Sequence, residues 1–174
     1  IIICKDKILL IHLRSLNKKM NALIIKGLNL DIKWKDKKAN FIEIEDILQN
    51  ESADLFILPE MFATGFCMDA DETADENNET LLWLKKMAAE KKAAFCGSVS
   101  DKENAKFYNR IYFVSIGGHS EYYDKRHLFS YSAEDEIYTK GEIRKIVNFK
   151  GFRILLQVCY DLRFPVFSRN NNDF

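Results

Sequence analysis

Hydrophobic positions in the first part of the chain follow two periodicities, and together they predict strands separated by helices. Residues 22–30 and 54–58 are apolar runs typical of buried strands, and the second run ends at Pro59. Residues 37–50 and the segment after Glu79 place apolar side chains three and four positions apart, as helices packed on a sheet do. Residues 93–99 predict a further strand. This order predicts an α/β layered domain.

The pattern changes after residue 106, where pairs of apolar runs flank glycine-containing turns. Residues 107–116 and 119–123 predict a hairpin around Gly117-Gly118, and residues 144–149 and 152–159 predict another around Lys150-Gly151. Pro165 stands where a helix begins. Because the sequence ends soon after that proline, we expect a domain that is incomplete at its C-terminus.

Residues 1–19 differ from the rest of the chain, since they mix apolar and basic side chains without a turn or cap signal. One interpretation is an ordinary extra strand or helix. The other is a non-native flank upstream of a biological start at Met20, with residues 20–174 forming the partial domain.

Composition narrows the function classes. The 26 basic and 26 acidic residues give no net charge, which argues against a nucleic-acid or anionic-membrane partner. No apolar stretch approaches the roughly 20 residues of a membrane span. The cysteines at 4, 67, 96 and 159 have neither metal-ligand spacing nor a disulfide pattern, which indicates reduced thiols, no metal and a cytoplasmic location.

Three chemically reactive residues follow predicted strands, where α/β folds gather their sites. Glu60, rimmed by Met61 and Phe62, has the surroundings of a general base, and Lys125 could stabilise a developing oxyanion. Taken singly, each also fits a structural role, as a helix-capping or solvent-facing glutamate and as a surface cation.

Cys159 is the third of these residues, at a predicted turn from strand to helix. A nucleophile at such an elbow has the next backbone N–H, that of Tyr160, available for an oxyanion, and the following helix would favour the thiolate. The alternative is a buried structural cysteine. A carboxylate, a lysine and a cysteine at three strand ends together predict a nucleophilic amidase. A Cys–His protease with His127 as base is the weaker hypothesis, because Lys125 and Arg126 disfavour protonation of His127.

Four segments carry a family resemblance. They read Leu-Pro-Glu-Met-Phe-Ala-Thr-Gly-Phe at 58–66, Phe-Tyr-Asn-Arg-Ile-Tyr-Phe at 107–113, Tyr-Asp-Lys-Arg-His-Leu-Phe at 123–129 and Val-Cys-Tyr-Asp-Leu-Arg-Phe-Pro-Val-Phe-Ser-Arg-Asn at 158–170. At these positions the sequence resembles the nitrilase or carbon–nitrogen hydrolase superfamily, in its omega-amidase branch. Members begin close to the equivalent of Met20 and continue well beyond Asn170, which favours the flank interpretation and the incomplete C-terminus.

The resemblance implies a fold and a set of site residues. The fold would be a four-layer α-β-β-α sandwich without a cofactor, and the triad would be Glu60, Lys125 and Cys159. Glu134 matches a second family glutamate that orients lysine or substrate, with Glu136 as the competitor for that position.

The resemblance also implies a reaction and its partners. The substrate would be the omega-amide of a 2-oxo dicarboxylate, such as 2-oxoglutaramate, whose carboxylate needs a cation; Arg163 and Arg126 are the candidates. The full-length protein would be a homodimer. Two alternative functions remain. One is an amidase or acyltransferase of the same superfamily that acts on another substrate, and the other is a truncated, non-catalytic protein.

Overall fold

A seven-stranded sheet runs through the computed structural model, which describes residues 2–5, 7–14 and 22–174. Its strands lie side by side in sequence order: β1 (Ile2–Lys5), β2 (Ile8–Arg14), β3 (Ala22–Leu28), β4 (Leu55–Ile57), β5 (Ala94–Glu103), β6 (Lys106–Val114) and β7 (Ser120–Asp124). β4 pairs in parallel with β3 and with β5, and the other neighbours are antiparallel. The carboxyl end of β4 therefore opens at the centre of the sheet.

Helices cover one face of this sheet. They are α1 (Lys37–Leu48) and α3 (Glu79–Lys91), with the short α2 (Ala70–Thr73) between them. Asp36 caps α1 by accepting a hydrogen bond from the Ala39 N–H at 3.0 Å. Ile44 and Leu48 of α1 and Leu84 of α3 are fully buried against the sheet. The apolar face of each predicted helix is thus the face that packs.

A second, two-stranded sheet covers the opposite face. It consists of β8 (Ile146–Phe149) and β9 (Phe152–Leu155), which pair antiparallel around Lys150-Gly151. Val147 and Phe149 pack with Ile25 and Phe113 of the large sheet. The layers are therefore helix, sheet and sheet, in the order of the predicted α-β-β-α sandwich, and the four-residue α5 (Pro165–Ser168) follows them along the chain.

The N-terminal residues and the segment before Cys159 bear on two of the sequence predictions. Residues 2–5 and 8–14 form the hairpin β1–β2, and β2 pairs along the whole of β3. This arrangement matches the extra-strand interpretation locally, but whether residues 1–19 are native stays a prediction, and Met20 lies outside the described residues. The strand predicted over 152–159 ends at Leu155, and a 3-10 helix (Cys159–Arg163) begins four residues later.

A close contact between β5 and the segment after β4 yields a stability prediction. A Cβ atom at Gly97 would lie 2.9 Å from Leu58 Cβ and 2.9 Å from Phe62 Cδ1. Gly97→Ala should therefore destabilise the fold by about 1–3 kcal/mol through overpacking, and urea unfolding should show a lower midpoint. Gly117→Ala is the matched control, since no atom lies within 4 Å of its added Cβ. Equal midpoints for the two variants would contradict this packing.

Candidate active site

Lys125 lies buried between two carboxylates. Its Nζ donates to Glu60 Oε1 at 2.8 Å and to Glu134 Oε1 and Oε2 at 3.1 and 2.9 Å. The side chains of Lys125 and Glu134 are 1% and 0% exposed, whereas that of Glu60 is 20% exposed. Glu60 is therefore the member of this trio that solvent reaches.

The end of β4 positions Glu60. Leu58 N–H donates to Cys96 C=O at 2.7 Å, which continues the β4–β5 pairing up to Pro59. The chain then turns sharply, with Met61 in the left-handed region at φ 47°, and Met61 N–H donates to Ser98 Oγ at 3.0 Å. This anchored turn directs Glu60 to the sheet edge where β4 terminates.

Lys125 follows β7 directly. Its N–H donates to Asn109 C=O of β6 at 2.9 Å, and its own carbonyl accepts from Gly141 N–H at 2.9 Å. Burial disfavours the charged form of this lysine, but the charges and hydrogen bonds of Glu60 and Glu134 outweigh burial and raise the pKa of Lys125. The ammonium is therefore a permanent positive charge at neutral pH.

The structure distinguishes Glu134 from Glu136. Glu134 is the first residue of α4 (Glu134–Ile137), is fully buried, and also accepts from Phe129 N–H at 2.6 Å through Oε2. Glu136 is exposed. The glutamate that contacts Lys125 is thus Glu134.

Cys159 begins the 3-10 helix with a strained backbone, at φ 42°, and is exposed. Burial of part of the side chain, followed by the charge of Glu60, raises the pKa of Cys159 against the lowering effect of Lys125. The expectation that a following helix would favour the thiolate was wrong. The helix after Cys159 is a five-residue 3-10 helix, and partial burial of the thiol, followed by the charge of Glu60, raises its pKa.

Asn109 is a site residue that the sequence did not single out. Its Nδ2 donates to Glu60 Oε1 and to Glu134 Oε1, both at 2.8 Å, and the residue is 0% exposed. The only signal was its position inside the segment 107–113, which carried part of the family resemblance.

Asp161 is a second residue that was missed, and it joins the cysteine turn to the lysine segment. Its fully buried carboxylate accepts from Val158 N–H at 3.0 Å, from Tyr123 O–H at 2.8 Å and from His127 N–H at 3.0 Å. His127 Nδ1 lies 2.7 Å from the same group, and its ring stacks on Phe164 at 3.8 Å. His127 therefore binds the carboxylate that joins the two segments, and no contact in the described part of the chain pairs it with Cys159 as a base.

The remaining predicted residues surround this centre. Tyr160 follows Cys159, and its ring packs 5.0 Å from Phe129 and 5.4 Å from Phe164. Arg126 donates to Glu142 C=O at 2.8 Å, and Arg163 is exposed. Within the part of the chain that the structure describes, no hydrogen bond or ion pair joins either arginine to Glu60, Lys125 or Glu134.

Residues 2–5, 7–14 and 22–174 contain no group of three or more histidine, cysteine or acidic side chains that could hold a metal ion. In the same ranges no helix is long and apolar enough to cross a membrane.

Comparison with known proteins identifies the family. The carbon–nitrogen hydrolase family model matches residues 25–173. The chain belongs to the carbon–nitrogen hydrolase family. The omega-amidase YafV of Yersinia enterocolitica is 40% identical over 156 residues, which are 89% of this chain and 61% of that protein. The 2-oxoglutaramate amidase of Bacillus subtilis is 31% identical over 153 residues, 84% of this chain and 59% of that protein.

Solved structures confirm the nitrilase-like fold. XC1258 from Xanthomonas campestris, a member of the same superfamily with an arsenic adduct in its active site, superposes with a TM-score of 0.82 at 40% identity. That match covers 85% of this chain and 57% of XC1258. Nit3 of Saccharomyces cerevisiae shares the fold with a TM-score of 0.68 at 24% identity, over 79% of this chain and 55% of Nit3. The chain thus spans about three fifths of the length of these carbon–nitrogen hydrolase relatives.

Differences in exposure among the thiols predict selective labelling. Cys67 and Cys96 are buried, and burial raises the pKa of Cys96 to about 12, whereas Cys159 is exposed. Limiting iodoacetamide should therefore modify Cys159 well ahead of the other two, and faster as the pH rises toward its raised pKa, because the thiolate is the nucleophile. Peptide mapping by mass spectrometry measures this order. Faster labelling of Cys67 would remove Cys159 as the accessible thiol.

Proposed function

We propose that this chain carries the catalytic centre of a thiol amidase. The reaction hydrolyses the omega-amide of a 2-oxo dicarboxylate monoamide, such as 2-oxoglutaramate, to the acid and ammonia through a thioester on Cys159. The observation that carries this proposal is the position of Glu60: its Oε1 accepts a hydrogen bond from the buried Lys125 Nζ at 2.8 Å while its side chain stays 20% exposed. Its charge also raises the pKa of Cys159. The names of the Yersinia and Bacillus relatives support the substrate class.

Acylation begins from a neutral thiol, because the raised pKa of Cys159 keeps its proton on sulfur at neutral pH. Glu60 takes that proton as Sγ forms a bond to the amide carbonyl carbon. Glu60 then gives the proton to the amide nitrogen, the C–N bond breaks, and ammonia leaves a thioester behind. One carboxylate thus acts first as base and then as acid.

Deacylation repeats the same proton transfers with water. Glu60 accepts a proton from the attacking water as its oxygen bonds to the thioester carbonyl carbon. The C–S bond breaks, the carboxylic acid is released, and the proton returns to Cys159. No redox step or cofactor is needed for this cycle.

Two groups would hold the negative charge of each tetrahedral intermediate. Lys125 supplies a fixed positive charge that is already buried and oriented, so it needs no reorganisation during the reaction. The Tyr160 N–H lies in the first turn of the 3-10 helix, where backbone donors have no acceptor within the helix. Glu134 would keep Lys125 in place through its two contacts with Nζ.

The substrate carboxylate needs a cation near the entrance. Arg163 lies in the same 3-10 helix as Cys159 and is exposed, whereas Arg126 is held by the Glu142 carbonyl. We therefore rank Arg163 before Arg126 for this role. That the full-length protein forms a homodimer stays a prediction.

The test of Glu60 uses a matched glutamate. Glu60→Gln should lower the rate of ammonia release from 2-oxoglutaramate by about 10²–10⁴-fold, because it removes the acid–base group while keeping its shape. Glu136→Gln, at an exposed position, should leave the rate unchanged. Both variants should be assayed in this chain and in the longest reading frame that contains it. A Glu60→Gln protein that keeps half of the activity would refute the proposal.

The arginine assignment predicts a change in substrate binding. Arg163→Ala should raise KM for 2-oxoglutaramate with little change in kcat, because it removes an interaction made equally in the ground and transition states. Arg126→Ala should have the smaller effect. A simple aliphatic amide without the carboxylate is the control substrate, and its KM should not respond to Arg163→Ala. The opposite ranking of the two arginines would assign the carboxylate to Arg126.

A further inference from the structure

The hydrogen bonds of Glu60 are distributed unequally between its two oxygens. Lys125 Nζ and Asn109 Nδ2 both donate to Oε1, each at 2.8 Å. Among the residues with described side chains, none donates a hydrogen bond to Oε2. Because two donors already occupy Oε1, a proton arriving at this carboxylate is directed to Oε2.

Asn109 binds the two carboxylates of the site at once. Its Nδ2 carries two hydrogens, and the second acceptor is Glu134 Oε1, also at 2.8 Å. The reverse orientation of the amide would place Oδ1 against two carboxylate oxygens. All three oxygens are acceptors with negative partial charge, so they would repel one another. The side-chain amide therefore fixes the separation between Glu60 and Glu134 independently of Lys125.

The remaining atom of this side chain indicates that its role is not stability. Asn109 Oδ1 is buried and has no hydrogen-bond partner; among the described side chains, Thr80 Oγ1 is the other such atom. An unpaired buried acceptor destabilises a fold. The asparagine is thus explained by its contacts with the carboxylates, since an apolar side chain would fill the space without this cost.

We propose that Asn109 is a positioning residue that, together with Lys125, saturates Glu60 Oε1 and so presents Oε2 to the thiol of Cys159. This inference rests on the proposed function, because it assigns the oxygen that takes and returns the proton. Asn109 contacts Glu60 after β4 and Glu134 of α4, and both of these carboxylates contact Lys125 after β7. The charges of these three groups also act on the thiol of Cys159.

The first arm of the test measures turnover. Asn109→Leu removes the donor and the unpaired acceptor, and Asn109→Asp keeps the shape but replaces the donor with an acceptor. Each should lower kcat for ammonia release by about 10–100-fold, the usual effect of losing a group that orients a site ligand, with KM little changed. Thr80→Val is the matched control, since it removes the other unpaired buried atom, and it should keep wild-type kinetics.

The second arm needs no amide substrate. It follows iodoacetamide labelling of Cys159 against pH by peptide mapping. Glu60→Gln should move the labelling midpoint to lower pH, because it removes a carboxylate that raises the pKa of Cys159. Asn109→Leu should move the midpoint to higher pH, because the carboxylates lose the partial positive charge of the amide hydrogens. Thr80→Val should follow the wild type.

The outcomes separate the two proposals. If the wild type releases no ammonia, the proposed function fails and the labelling arm alone decides the role of Asn109. Folded Asn109→Leu and Asn109→Asp proteins with wild-type kcat would overturn the inference, as would an unchanged labelling midpoint in Asn109→Leu. Unfolding of both variants in thermal melts would also overturn it, because the role of Asn109 would then be structural.

Discussion

The candidate site depends on one buried cation, Lys125, placed between Glu60 and Glu134. A buried ammonium is costly unless its charge and its hydrogens are all matched, and two carboxylates provide that match. Each partner comes from a different part of the chain: Glu60 from the end of β4, Lys125 from the end of β7, and Glu134 from α4. The ion group therefore forms only when the central sheet and the segment that follows it are correctly assembled.

The cysteine is tied to this assembly through a different carboxylate. Asp161 bonds the backbone just before Cys159 and also Tyr123 and His127, which flank Lys125 along the chain. Cys159 and Lys125 are thus connected by a buried group that takes no part in the proposed chemistry. Such a connection holds a strained residue, since the positive φ of Cys159 is sustained only where its surroundings are fixed.

Local sequence signals predicted most of this arrangement. Apolar runs located the ends of β4 and β7 closely, whereas β9 ends at Leu155, four residues before Cys159. Glu60, Lys125 and Cys159 were recognisable as a set because each follows an apolar run and lies in a segment with the family resemblance. The strand pair in residues 2–14 gave no clear pattern, because it lacks a turn or cap signal. Asn109 was not predicted, because it lies within a strand and its role depends on carboxylates that are distant in sequence. The protonation of Cys159 likewise depends on a sum of charges that only the assembled site defines.

That sum of charges constrains the mechanism. Partial burial and the charges of Glu60 and Glu134 outweigh the lowering effect of Lys125, so the pKa of Cys159 is raised. A Cys–His pair stabilises a preformed thiolate with a positive imidazolium, whereas this site keeps the proton on sulfur. In the proposed mechanism the thiol then loses its proton while it attacks, to an acceptor that is already in place. Glu60 suits this task because Lys125 and Asn109 hold one of its oxygens and leave the other for the proton.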